Sequence, residues 1–147
     1  MRIYLDTCCF NRPYDDQTLL RVYLETQAKI SIQNMIRLGE IQLVTSYILM
    51  YENSMSPFIV RKLIIEDFLR RYSSYHVDAG KSKYIAQIAE SIIDTGVKIK
   101  DAYHVACALE AKCKYFLSTD DRLIKKYKSD KILLINPVDF IMLEENR

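Results

Sequence analysis

Ile99-Lys100-Asp101-Ala102-Tyr103-His104-Val105-Ala106-Cys107-Ala108-Leu109-Glu110, followed after a short break by Tyr115-Phe116-Leu117-Ser118-Thr119-Asp120, decides how this chain folds. Ala102, Val105, Ala106 and Leu109 recur at the spacing of one face of an α-helix, which predicts a helix from Ile99 to Lys112. Tyr115-Phe116-Leu117 is a short aromatic and branched run that reads as a buried strand. Acidic residues stand near the start of the helix and just after the strand.

Working outward, the same alternation recurs. Arg2-Ile3-Tyr4-Leu5-Asp6 reads as a strand, and the polar stretch with Asn11, Arg12, Pro13, Asp15 and Asp16 breaks the pattern. Leu20, Leu24, Ala28, Ile32, Met35 and Ile36 predict a helix over 18–38, ended by Gly39. Ile41 to Thr45 is a second strand, and Ser46 can cap the following helix, which carries Glu52. Pro57 fits the first turn of a helix running to Arg71, with Val60, Leu63, Ile64 and Phe68 on one face. Tyr75 to Val77 reads as a third strand, and Lys81 to Asp94 as a helix closed by Gly96. After the fourth strand come a short basic helix, a fifth strand at Ile132 to Ile135, and a last segment from Pro137 that packs Val138, Phe140, Ile141 and Leu143. Strands alternating with helices imply a parallel sheet covered on both faces.

The bulk properties agree with an ordinary α/β fold. The 147 residues suffice for one domain with a sizeable core, half are apolar, and only three glycines and three prolines leave no room for a linker. The longest unbroken apolar runs, such as Tyr47 to Tyr51, have five residues, whereas a membrane span needs about 20. The N-terminus lacks a signal-peptide pattern, so a cytoplasmic location is expected. Cys8, Cys9, Cys107 and Cys113 make no zinc spacing and read as reduced, mostly buried thiols. A net charge of +2 does not by itself imply a nucleic-acid partner. Between Lys98 and Lys131, however, nine basic residues face five acidic ones, and Arg122, Lys125, Lys126, Lys128 and Lys131 supply most of the excess. Arg122, Lys125, Lys126 and Lys128 are candidate RNA contacts; a solvated helix face is the plainer reading.

Four acids are candidates for chemistry. Asp6 falls at the carboxyl end of the first strand and Asp120 just past the fourth, the edge at which ligands bind in parallel sheets. Asp101 lies beside the core face of its helix, and Glu52 adjoins an apolar run, where an unpaired charge is costly. Singly, each has a structural explanation: a helix cap, a favourable helix dipole, or a lysine partner. If strands one and four are neighbours, the acids converge. Two charges about 4 Å apart repel by about 4 kcal/mol at an effective dielectric near 20, a large fraction of a domain's stability of about 5–15 kcal/mol. A divalent cation would remove that repulsion, and oxygen donors suit Mg²⁺ or Mn²⁺, which activate water in phosphoryl chemistry.

Tyr4-Leu5-Asp6-Thr7, Glu52, Lys100 to Ala108 and Phe116-Leu117-Ser118-Thr119-Asp120 together resemble the PIN-domain family over essentially the whole chain. The resemblance implies one domain over 1–147, a three-layer α/β/α fold with a five-stranded parallel sheet, and metal-dependent cleavage of RNA. It implies Asp6, Glu52, Asp101 and Asp120 as catalytic acids, with Mg²⁺ or Mn²⁺ on Asp6, Asp101 and Asp120. Ser118 matches the family's hydroxyl near the metal, Thr7 and Asn11 match loosely as neighbours, and Asp121, a second acid beside Asp120, is a candidate to share its role. The small size resembles VapC-like toxins, which implies a homodimer and a small antitoxin partner. His104, one turn beyond Asp101, reads as structural, because metal-activated water needs no histidine base; His76 receives no role. The polar loop from Cys8 to Gln17 is a candidate for shaping substrate choice. A haloacid-dehalogenase-type phosphatase would need an Asp where Cys8 stands, and a receiver domain needs acids after strands one and three that are absent here. A catalytically silent RNA- or protein-binding module on the same fold is the remaining alternative; all four acidic positions being filled argues against it.

Overall fold

Ile3, Tyr4 and Leu5 are completely buried, as a strand covered on both faces requires. They form β1 (Arg2–Leu5). The computed structural model describes residues 1–146. After β1 come α1 (Thr7–Asn11), a 3-10 turn (Arg12–Tyr14), α2 (Leu20–Arg37), β2 (Gln42–Ser46), α3 (Tyr47–Ser54), α4 (Ile59–Tyr72) and β3 (Ser73–Val77). Then follow a second 3-10 turn (Ala79–Lys81), α5 (Ser82–Ile93), α6 (Ile99–Glu110), β4 (Tyr115–Leu117), α7 (Asp121–Lys126), β5 (Leu133–Ile135) and α8 (Pro137–Glu145).

The five strands form one parallel sheet in the order β3-β2-β1-β4-β5. The chain builds outward from β1 to β3 on one side, then crosses to β4 and builds outward to β5. The order therefore reverses between β1 and β4, and at such a switch point a cleft opens beyond the strand ends. Register sets what stands there. Leu5 pairs with Leu117, and the Asp6 amide donates to the Leu117 carbonyl at 2.9 Å. Asp6 and Ser118 are thereby held side by side. Tyr4 and Phe116 stack at 5.3 Å in the core beneath them. No helix among the described residues is long and apolar enough to cross a membrane.

Several local expectations need correction. The polar stretch after Asp6 is not simply a break: Asp6 caps α1 by accepting from the Thr7 amide, and Phe10 in α1 is buried. Pro57 lies outside the following helix, which starts at Ile59 after Phe58. Val60, Leu63 and Ile64 face outward, while Ile65, Phe68 and Leu69 form the buried side of α4. In α2, Leu20 and Leu24 are exposed, and the buried face includes Glu25 and Lys29. Glu25 is accepted inside because it receives hydrogen bonds from Arg12, Arg21 and Asn136. In α8, Phe140 is fully buried but Leu143 is exposed. The Ser46 cap is present, accepting from the Leu49 amide at 3.0 Å, and Gly39 and Gly96 follow their helices at positive φ.

Candidate active site

Asp6 is the most buried of the four candidate acids. Its Oδ1 accepts from the Thr7 amide at 2.9 Å and its Oδ2 from the Ser118 hydroxyl at 2.9 Å. Ser118, itself fully buried, also accepts from the Asp120 amide at 3.1 Å. One hydroxyl thus ties the end of β1 to the start of α7. Asp120 caps α7 through Oδ1, which accepts from the Arg122 and Leu123 amides. Its structural reading as a cap is correct, and its Oδ2 accepts no hydrogen bond from a described residue. The Cys8 thiol touches the same group, 3.5 Å from Asp6 Oδ2 and 3.6 Å from the Ser118 hydroxyl. Three of the four cysteines are buried as expected; Cys8 is partly exposed at the site.

Asp101 enters from the first turn of α6. Its carboxyl is raised above the usual aspartate range, first by burial, then by the charges of Asp6 and Asp120. Asp101 on α6 therefore feels the charges just after β1 and just before α7, as the sheet order requires. This is the repulsion expected where strands one and four are neighbours.

Glu52, on α3, is held by a chain of groups that runs into the core. His104 Nε2 donates to its Oε1, and the Tyr4 hydroxyl lies 2.6 Å from His104 Nδ1. The Ser46 hydroxyl lies 2.7 Å from that of Tyr4. Burial, above all, keeps the Tyr4 hydroxyl well above its usual pKa, so it stays protonated and able to donate to Nδ1. Thr7 Oγ1 donates to Glu52 Oε2 at 3.2 Å, and Lys100 Nζ lies 3.4 Å from it. Burial would raise the Glu52 pKa, but His104 and Lys100 outweigh it and hold the carboxyl below its usual range. His104 is structural, as the sequence suggests, but structural for the site, since it fixes Glu52.

A cavity of about 170 Å³ lies against this acidic edge, lined by Asp101 and Asp120 together with Lys98, Arg122 and Lys126. Of the basic residues expected to contact RNA, Arg122 and Lys126 line the cavity, whereas Lys125 and Lys128 do not. Gly96 leaves room for Lys126: a Cβ there would lie 2.8 Å from Lys126 Cε. Asp121 does not join the acids. Arg21 binds it through two hydrogen bonds of 2.6 and 2.9 Å on the exposed surface, so its carboxylate is already paired rather than sharing the role of Asp120. Asn11 bonds back to the Thr7 carbonyl and makes no hydrogen bond to the acids among the described residues. Lys98, Lys100, Tyr4, Ser46 and Cys8 were missed by sequence reasoning. Lys98 immediately precedes α6 and stands three residues before Asp101; nothing local distinguishes Tyr4 or Ser46 from core and cap residues.

Among the described residues, no three His, Cys, Asp or Glu side chains close into a metal-holding group. The donor chemistry nevertheless fits a hard divalent cation. Asp6, Asp101 and Asp120 offer only oxygen, Asp101 accepts no hydrogen bond from any described residue, and the mutual repulsion favours a positive charge between them.

The PIN domain family matches residues 3–129. The chain belongs to the PIN domain family. As a class, PIN domains are nucleases that use divalent metal ions. Solved structures share this PIN fold at low identity. VapBC2 from Rickettsia felis, bound to a DNA fragment from its promoter, matches at 14% identity and a TM-score of 0.56, covering 92% of this chain and 98% of that one. FitAcB from Neisseria gonorrhoeae matches at 16% and 0.55, covering 92% and 97%. FitAB bound to an IR36 DNA fragment matches at 17% and 0.59, covering 92% and 95%. No curated protein sequence gives a significant match.

Proposed function

We propose that this PIN domain is a Mg²⁺- or Mn²⁺-dependent ribonuclease, the toxin of a toxin–antitoxin pair, with Asp6, Glu52, Asp101 and Asp120 as its catalytic acids. One observation carries the reading: Asp101 is electrostatically coupled to both Asp6 and Asp120 at the switch point of the sheet, beside a basic cavity. Asp6, Asp101 and Asp120 would hold the cation, which when bound supplies an activated water and charge stabilisation for phosphodiester hydrolysis. Ser118 orients Asp6 and the Asp120 backbone, so the two carboxylates keep a fixed separation. Glu52 is kept ionised by His104 and Lys100, and acts as a fixed acceptor that orients a water rather than as a proton carrier. Lys98, Arg122 and Lys126 would hold the RNA phosphates flanking the scissile bond.

The partners follow from the family resemblance and from the surface. VapBC2 and FitAB are assemblies by their names, which supports a small antitoxin partner here. The homodimer is proposed to form through the faces of α3 and α6, where Tyr51, Met55 and Ile99 are each about two-thirds exposed. The test is cleavage of total cellular RNA with Mn²⁺, against the same reaction in EDTA. Cutting that stops in EDTA supports the ribonuclease. Tight RNA binding with no cutting in Mn²⁺ or Mg²⁺ favours the catalytically silent module and overturns the proposal.

A further inference from the structure

Lys29 stands on the inward face of α2 with only 6% of its surface exposed. Among the described residues no oxygen accepts a hydrogen bond from its ammonium and no carboxylate forms an ion pair with it. Its nitrogen lies over the ring of Phe10, 5.7 Å from the centroid. Glu25, one turn earlier on the same buried face, shows the contrast: three side chains satisfy its charge. A buried unpaired charge is costly and is usually matched by a counter-charge.

Lys29 lines a cavity of about 350 Å³ enclosed by α1, the first 3-10 turn, α2 and α4. That volume is at the small end of ligand pockets, about 300–1,000 Å³. Three cations line it, Lys29, Arg37 and Arg71, against the single acid Asp67. Asp67 is already paired with Arg71 at 3.3 Å. Among the described residues Arg37 has no acidic partner, and it lies over the Phe68 and Tyr72 rings at 5.4 and 5.8 Å. The rest of the wall is apolar or aromatic, including Phe10, Ile30 and Ile64. The acids of the candidate active site do not line this cavity. Burial lowers the Lys29 pKa to about 8, with Arg37 adding to the fall and Cys9 opposing it. An anion beside the ammonium would reverse that.

We propose that this cavity is a second binding site, for a small organic anion: an acid group, carboxylate or phosphate, on a flat apolar body. The acid group pairs with Lys29 and Arg37, and the body lies against the aromatic wall. The site is independent of the nuclease reading, because it shares no residue with the acidic edge.

The experiment is a backbone amide NMR titration of the full chain with phenyl phosphate, benzoate and inorganic phosphate at constant ionic strength. The expected result is saturable shifts at Phe10, Lys29, Gln33 and Phe68 with phenyl phosphate or benzoate. Their relative affinities decide between the two acid groups. Inorganic phosphate should bind more weakly. Lys29→Met should weaken binding about tenfold or more, the loss of one charged hydrogen bond, while the free variant melts no lower than the wild type. Arg37→Gln, at an exposed position, should weaken binding in the same direction and serves if Lys29→Met fails to fold. The proposal is overturned if no probe gives saturable shifts there, if inorganic phosphate binds as tightly as phenyl phosphate, or if neither variant changes the affinity. Shifts confined to the surroundings of Arg122 and Lys126 also overturn it, since they would report only the acidic edge.

Discussion

Asp101 is half-buried, accepts no hydrogen bond from a described residue, and faces the charges of Asp6 and Asp120. Its folded-state pKa lies above the ordinary aspartate value. Between those two values the folded chain keeps a proton that the unfolded chain has released. Stability without metal therefore falls as pH rises through that window, and stays lower above it. Asp101→Asn removes this dependence. In EDTA, the variant and the wild type should be similarly stable below the ordinary aspartate range, and the variant should gain on the wild type as pH approaches neutrality. Urea unfolding from about pH 3 to 8 checks this. A constant difference at every pH would mean that Asp101 carries no such strain. Asp6 and Asp120 were legible as candidates because one follows directly, and the other three residues on, from the last apolar residue of a strand. Tyr4 and Ser46 were not: their bonds to His104 and to each other span 100 and 42 residues of chain, and only the folded sheet brings them together.

Helix α7 shows how an element selects among residues that look alike in sequence. Arg122, Lys125, Lys126 and Lys128 form one basic cluster in the chain, but only Arg122 and Lys126 line the cavity beside Asp101 and Asp120. Replacing Arg122 and Lys126 by glutamine should weaken RNA binding and flatten the logarithmic salt dependence by about 0.7 per lost phosphate contact. The same change at Lys125 and Lys128 should leave the slope nearly unaltered. Filter binding over a salt series separates the pairs; equal slopes for both double variants would reduce the cluster to a solvated face. Helices α2 and α4 show where periodicity alone misleads. Each carries apolar residues in excess of what one buried face needs. Their apolar pattern therefore pointed to Leu20, Leu24, Val60, Leu63 and Ile64, all of them exposed. On α2 the polar members of the buried face, Glu25 and Lys29, carry no apolar signal at all. By contrast α6, whose core face is small and apolar, matched its sequence pattern at Ala102, Val105 and Ala106.

On the scale of the whole molecule, alternation of strands and helices made the parallel sheet legible, but not its order. Placing β1 beside β4 is a consequence of the crossover through α5 and α6, and that placement brings Asp6, Asp101 and Asp120 to one edge. The remaining apolar surface on α3 and α6 carries a prediction at the same scale. The protein should be a dimer by light scattering at micromolar concentration. Tyr51→Glu with Ile99→Glu should give a folded monomer, because a buried charge without a partner is not tolerated in an interface core. A wild-type monomer at high concentration contradicts the dimer. The central claim, that these acids form a metal centre, is tested most directly by melting the wild type and Asp101→Asn with and without Mn²⁺ at neutral pH. The account predicts that Mn²⁺ raises the wild-type melting temperature, that it does not raise that of the variant, and that the variant melts at least as high as the wild type in EDTA. A variant that melts lower in EDTA, yet gains as much from Mn²⁺ as the wild type does, would contradict it.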